Sequence, residues 1–297
     1  MVNGYYGAID IGTNAVRMVI KRVYEQPNRE ILSYSVQELR IPLRLGVDVF
    51  KYGFISDKKA DQLSKTITCF KALFELYGVV SYKVVATSAM REASNSQTVI
   101  DKVFNETGYK IEIISGESEA YTISMIASDC KLKDNLVFID VGGGSTEVTL
   151  YVKGNNVESN SFQLGTLRIL AKKDKKSTWK DLKKTLTGYY EKYGKLNIVG
   201  TGGNINRYYK ISCAKDKKKY LSVEDLKAIY EDLSKLSQKE RISKYKIKPD
   251  RADVIIPAGE IYLKCAEILK SKYIIIPMIG LCDAIIDTQI DRNMDVI

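Results

Sequence analysis

Val137-Phe-Ile-Asp140-Val-Gly142-Gly-Gly-Ser-Thr-Glu147-Val-Thr-Leu150 is the stretch that decides the fold. An apolar, β-rich run ends in an aspartate, small residues turn the chain, and a second β-rich run follows. Strand, tight glycine turn and strand make a hairpin. The chain opens with the same grammar: Tyr6-Gly-Ala-Ile-Asp10-Ile-Gly12-Thr-Asn-Ala-Val-Arg17-Met-Val-Ile20. Two copies so far apart predict two domains on one plan, each presenting its turn to a shared cleft. The chain has 297 residues, beyond the usual size of one core. The polar stretch Asp129 to Asn135 separates the copies, which puts the domains at 1–128 and 129–297.

Outward from the hairpins, Glu30 to Leu39 reads as a third strand. Leu63, Ile67, Phe70, Leu73, Phe74 and Tyr77 recur at helical spacing behind Ser56, predicting a helix over 57–77 with Ser56 as its N-cap. Further strands are expected at 82–86, 110–114, 196–200 and 273–276. Helices are expected at 97–106, from Ser115-Gly116-Glu117 to about Ser128, and at 179–193, 222–236 and 258–271. Hairpins followed by alternating helix and strand give an α/β class with mixed β-sheets flanked by helices.

The sequence contains no histidine. That excludes histidine-activated nucleophiles, histidine-ligated zinc and phosphohistidine chemistry. A general base must be a carboxylate, Lys, Tyr or Cys, and a metal must sit among oxygen ligands, which points to Mg2+ or Mn2+. The five cysteines (Cys69, Cys130, Cys213, Cys265 and Cys282) are scattered singly and read as buried, reduced thiols. No apolar stretch is long enough to span a membrane, and the N-terminus does not read as a signal peptide, so a cytoplasmic protein is expected. The net charge of +10 suits a polyanionic partner. The densest lysine runs, Lys172 to Lys184 and Lys215 to Lys219, read equally well as solvated faces, and no nucleic-acid-binding signature accompanies them.

The motifs carry a specific chemistry. In Asp10-Ile-Gly12-Thr13-Asn14 and Asp140-Val-Gly142-Gly143-Gly144-Ser145-Thr146, glycine-rich turns leave backbone N–H groups free for a closely approaching phosphate. An aspartate at each strand end would repel that phosphate unless a divalent cation lay between them. A third turn, Gly200-Thr201-Gly202-Gly203, precedes a helix whose N-terminus can hold further phosphates. Glu117 and Glu119 open a helix and Glu147 follows the second turn. Without histidine, such a glutamate is the natural group to deprotonate water, although Glu119 alone reads equally as a first-turn residue favoured by the helix dipole. Arg91, after Thr87-Ser88, can clamp a phosphoryl group or serve as an ion-pair residue.

Taken in order, these segments resemble the exopolyphosphatase and guanosine-pentaphosphate phosphohydrolase family of the actin-like ATPase superfamily. The resemblance covers Gly7 to about Ile290. It includes Ala86-Thr-Ser-Ala-Met-Arg-Glu-Ala93, Ile114-Ser-Gly-Glu-Ser-Glu-Ala120, Leu164-Gly-Thr-Leu-Arg168, Gly200-Thr-Gly-Gly203 and Arg251-Ala-Asp-Val254. It implies two actin-like (ribonuclease H-like) domains with the active site in the cleft between them. It implies Glu119, Arg91 and Glu147 as catalytic residues and Asp140 and Glu147 as metal ligands. Phosphates would lie on Asp10, Gly12, Thr13, Asn14, Gly142, Gly143, Gly144, Ser145, Thr146, Gly202 and Gly203. The chain departs from the family pattern at Ser118, where a glutamate is usual, and at Cys282, where an arginine is usual.

The expected reaction is in-line attack of water on the terminal phosphoryl group of inorganic polyphosphate, with a divalent metal and with the cleft closing to exclude other water. Guanosine pentaphosphate is the alternative substrate within the same chemistry. A sugar-kinase-like phosphotransferase and a non-catalytic polyphosphate or alarmone sensor remain as other classes, and a homodimer is an open alternative.

Overall fold

The computed structural model describes residues 3–28, 30–125, 135–212 and 219–295, the last with side chains to 291. The chain divides into two compact units, 1–115 with 280–297, and 116–279. This differs from the expected division in two places. The helix following each unit's last strand belongs to the other unit, so 116–124 joins the second and the C-terminal helix Leu281–Asp295 joins the first. The expected boundary at 128/129 lies outside the described residues.

In the first unit, β1 (Gly4–Ile11), β2 (Val16–Glu25) and β3 (Ile31–Ile41) form an antiparallel meander. Then come α1 (Leu45–Tyr52), α2 (Asp57–Tyr77), β4 (Val79–Ala86), α3 (Ser88–Glu92), α4 (Ser96–Thr107) and β5 (Glu112–Ile113). The sheet order is β3-β2-β1-β4-β5, with β4 parallel to β1. Gly7 is required where α2 crosses the sheet, since a Cβ there would lie 2.5 Å from the Phe74 ring. Helix α2 has the expected bounds, but the hydroxyl of its N-cap residue Ser56 bonds Asp48 rather than its own helix. The C-terminal helix lies on the opposite face from α2. There Gln289 donates to the Gly7 carbonyl at 3.1 Å, and Lys21 pairs with Asp283 at 3.3 Å and Asp287 at 3.1 Å.

The second unit begins with α5 (Gly116–Ser124), then β6 (Leu136–Val141), β7 (Thr146–Val152) and β8 (Asn155–Phe162). These are followed by α6 (Thr166–Leu170), α7 (Lys176–Tyr193), β9 (Asn197–Thr201), α8 (Gly203–Ile211), β10 (Tyr220–Ser222), α9 (Val223–Lys235), α10 (Gln238–Tyr245), α11 (Ile255–Ile268) and β11 (Tyr273–Ile275). The order β10-β11-β9-β6-β7-β8 contains the first unit's plan, an antiparallel meander with a parallel strand, β9, beside its first strand. The repeat read from the two hairpins is thus a repeat of topology.

Strand alternation gives this second sheet two unlike faces. Val137, Ile139, Val141, Val148, Leu150 and Ile198 point into the main core with Leu226, Ile261 and Tyr262. Leu136, Phe138 and Val199 form a small cluster on the other face, and the strand ends there carry Asp140, Glu147 and Thr201. Helix α5 covers this polar face over β7 and β8. The Thr149 hydroxyl donates to the Ala120 carbonyl at 3.1 Å, and Asn156 donates to the Ser124 hydroxyl at 3.1 Å.

Cys265 and Cys282 are buried as expected, Cys69 is exposed on α2, and Cys130 and Cys213 lie outside the described residues. The lysines of 172–184 are mostly exposed, which fits a solvated face, whereas 215–218 are not described.

Candidate active site

The strand register builds the site. Asp140 on β6 pairs with Glu147 on β7, Glu147 pairs with Ser161 on β8, and Asp140 pairs with Thr201 on β9. Residues paired in a ladder share a face, so these four side chains form one row across the ends of adjacent strands. The Ser161 hydroxyl donates to Glu147 Oε1 at 2.8 Å and fixes a carboxylate that is 3% exposed. Above the row, α5 buries Glu119, while Glu117 and Ser118 face solvent. Of the two candidate glutamates opening this helix, only Glu119 is directed into the protein.

The turn Gly142–Ser145 is held from one side. The Gly142 carbonyl accepts from Thr166 N at 3.0 Å, Gly143 from Leu167 N at 2.8 Å, and Gly144 from Arg168 Nε at 2.7 Å. In a trans peptide the N–H points opposite its carbonyl, so the N–H groups of Gly143, Gly144 and Ser145 face away from α6. Successive N–H groups turned one way make an anion cradle. The Gly142 N–H closes the turn on the Ser145 carbonyl at 3.0 Å and is no part of that cradle. Thr146 is also corrected. It points to the core face and its hydroxyl donates to the Leu164 carbonyl at 2.5 Å, so its side chain pins the turn instead of meeting a ligand.

In the first unit, the Gly12 N–H likewise closes on the Ala15 carbonyl at 3.1 Å. The carbonyls of Thr13 and Asn14 accept from Gly46 N and Arg44 N, each at 3.0 Å, which turns the N–H groups of Asn14 and Ala15 outward. Lys59 braces this support by donating to the Leu43 and Arg44 carbonyls. The hairpins differ in charge. Asp10 stands opposite Arg17, whereas Asp140 stands opposite Glu147. The helix ends differ too. Asp283, which follows Gly280 as Glu119 follows Gly116, is paired with Lys21. The acidic pair beneath a buried glutamate therefore belongs to the second unit. Arg91 on α3 donates from Nη1 to the Ile114 carbonyl at 2.9 Å.

The third turn meets the same row. Gly202 has φ +92°, and a Cβ there would lie 2.5 Å from Asp140 Oδ1. Gly203 opens α8 with the Arg251 guanidinium packed against it and donating to its carbonyl. The Tyr262 hydroxyl lies 2.9 Å from the Ile139 carbonyl oxygen and 2.7 Å from that of Thr201, clamping β6 to β9 where Asp140 emerges. Burial pushes the Tyr262 phenol well above its usual value, with the nearby Asp140 adding to the shift, so it stays protonated.

Sequence reasoning missed several supports: Ser161 beneath Glu147, Arg168 and Gly165 beneath the turn, Tyr262, and Arg251 on Gly203. Arg168 and Arg251 stand in segments that carried the resemblance, but their roles depend on pairing invisible in one dimension. Ser161 left no signal in the sequence.

Among the described residues there is no group of three or more acidic or thiol side chains able to hold a metal ion. The donor set is two carboxylates in register, with Gly202 leaving open the space beside Asp140 that a side chain would fill. That set fits magnesium, which keeps several waters and takes one or two carboxylates.

The fold is the doubled actin-like plan, two copies of one mixed sheet flanked by helices. The chain belongs to the Ppx/GppA phosphatase family, whose model matches residues 22–293. It is similar to a bifunctional 3-dehydroquinate synthase/phosphatase of Fusobacterium nucleatum, at 33% identity over 86% of the chain and 42% of that protein. It is also similar to exopolyphosphatase 1 of Mycobacterium tuberculosis, at 28% identity over 55% of the chain and 47% of that protein. The chain thus spans less than half the length of these curated relatives. An exopolyphosphatase structure from Cytophaga hutchinsonii superposes with TM-score 0.84 at 20% identity, covering 97% of this chain and 98% of that one. The Aquifex aeolicus Ppx/GppA family member superposes with TM-score 0.77 at 23% identity, covering 98% of each. No helix among the described residues is long and apolar enough to cross a membrane.

Proposed function

We propose that this chain is a magnesium-assisted phosphohydrolase that removes terminal phosphoryl groups from inorganic polyphosphate. The observation that carries this reading is the single sheet face holding Asp140 and Glu147 in register under the helix that buries Glu119, beside a turn whose Gly143, Gly144 and Ser145 N–H groups face one way. Family membership and the exopolyphosphatases among the relatives support the substrate class, and the net charge of +10 suits a polyanion.

In this mechanism Glu119 orients a water and takes its proton on a carboxylate oxygen as the water oxygen bonds to the terminal phosphorus. The bridging P–O bond breaks, and the chain leaves shortened by one phosphate. The N–H groups of Gly143, Gly144 and Ser145 donate to the phosphoryl oxygens, where preorganised dipoles count most. The N-terminus of α8 holds further phosphate oxygens. Asp140 and Glu147 hold the magnesium, which when bound neutralises charge on the phosphoryl oxygens.

The test is phosphate release from long polyphosphate, short polyphosphate and guanosine pentaphosphate, with magnesium and with chelator. Magnesium-dependent release that is fastest from polyphosphate is expected. Faster release from guanosine pentaphosphate would reassign the substrate. Tight binding without turnover in magnesium would mark a sensor and overturn the hydrolase reading.

A further inference from the structure

Thr201 is 2% exposed, and its Oγ1 is buried without a hydrogen-bond partner among the described residues. A buried hydroxyl left unsatisfied is costly, so its environment calls for a partner. Its other groups have structural tasks. Its backbone carbonyl takes the Tyr262 hydroxyl at 2.7 Å, and its chain neighbours are glycines that shape the turn. The side chain, by contrast, has a fixed direction and a hydroxyl with no hydrogen-bond partner among the described residues. Thr201 is the register partner of Asp140, so its side chain stands on the polar face in the row Ser161, Glu147, Asp140, Thr201. The residue beyond it is Gly202, where any Cβ would press on Asp140 Oδ1. A hydroxyl beside a carboxylate ordinarily donates to it, and this one makes no such bond.

We propose that Thr201 Oγ1 is a third protein oxygen of the divalent-cation site formed by Asp140 and Glu147. A neutral hydroxyl completing a pair of carboxylates is a donor set suited to a hard, oxygen-seeking cation such as magnesium or manganese. It adds a ligand without adding charge, so the site gains no further repulsion toward a phosphate. This explains why a threonine, rather than a valine of similar shape and strand propensity, ends β9. The proposal rests on the reading of Asp140 and Glu147 as the cation ligands, and its test separates the two.

Manganese binding to the full chain without substrate is measured by the loss of the free-ion paramagnetic resonance signal, for the native protein and for Thr201→Val, Thr201→Ser and Asp140→Asn. Urea unfolding confirms that each variant is folded. Thr201→Val should weaken manganese binding about tenfold, in line with the effects of removing a metal site's supporting contacts, and Thr201→Ser should stay within about twofold of native. Asp140→Asn should lose most of the binding. If Asp140→Asn loses binding while Thr201→Val binds as native, the Thr201 assignment is overturned and the carboxylate site stands. A higher KM for polyphosphate in Thr201→Val with unchanged manganese affinity would move the hydroxyl to the phosphate and likewise overturn it. If the native protein binds no manganese, the carboxylate site fails, and the Thr201 assignment with it.

Discussion

Asp140 and Glu147 stand directly opposite each other in the β6–β7 ladder, with both carboxylates on the face covered by α5. Like charges in directly opposed positions destabilise a ladder by a few tenths to about 1 kcal/mol. The pair therefore asks for a cation. Without divalent ions, Asp140→Asn or Glu147→Gln should leave the thermal midpoint unchanged or raise it. With magnesium, the native protein should gain stability that neither variant gains. Thermal unfolding with magnesium and with chelator reads both effects. Phosphate release should fall in each single variant by about as much as in the double, because the proposed mechanism has both residues hold one ion.

The glycine turn depends on Gly165, where a Cβ would lie 2.5 Å from backbone atoms of Gly143 and Gly144. Gly165→Ala must displace that turn and should cost about 1–3 kcal/mol of stability, with a raised KM. Gly188, inside α7, has open space around its Cα. Gly188→Ala should instead add about 0.5–1 kcal/mol and leave KM unchanged. Urea unfolding and steady-state kinetics on the pair separate turn geometry from general stability.

Arg168 is a positioning residue, buried and donating to the Gly144 carbonyl. Arg168→Met should raise KM for polyphosphate about tenfold, as the N–H groups of Gly144 and Ser145 lose their fixed direction. Arg168→Lys should recover part of that loss. A purely structural role would lower the unfolding midpoint without this split between variants.

Burial raises the Cys265 thiol from 9.0 to about 12 and the Tyr109 phenol from 10.0 to about 12. In each case the folded state favours the protonated form. The stability this confers is fully present below the unfolded values and is lost as pH rises toward about 12. Denaturant midpoints should therefore decline from about pH 9 upward, and less steeply in Cys265→Ala. Mapping by alkylation at pH 8 should label Cys69 and spare Cys265 and Cys282, whose thiols burial holds protonated.

What could be read from the sequence follows from how local each signal is. The helix Asp57–Tyr77 was legible to the residue because its apolar stripe is continuous and Gly78 ends it in a left-handed turn. The twin hairpins were legible because strand, turn and strand adjoin in sequence. Helix α10 buries no residue, so it has no apolar period, and the capping box of Ser237 and Glu240 was its one local mark. Strand β8, Asn155–Phe162, is polar along most of its length and exists as a partner for β7. The same limit applied to the site. Asp140, Glu147 and Glu119 announced themselves in motifs, whereas Ser161 and Thr201 joined them only through strand register. The side chain of Thr146 turns to the core face, which a motif, naming residues without their faces, could not say.

In the proposed mechanism Glu119 activates the attacking water. The decisive measurement is phosphate release from long polyphosphate by Glu119→Gln, confirmed folded by its unfolding midpoint, with Asp283→Asn as the matched variant at the lysine-paired helix end. Loss of about 10²–10⁴-fold in kcat for Glu119→Gln, with Asp283→Asn within about threefold of native, is the predicted result. Near-native turnover by Glu119→Gln would contradict it.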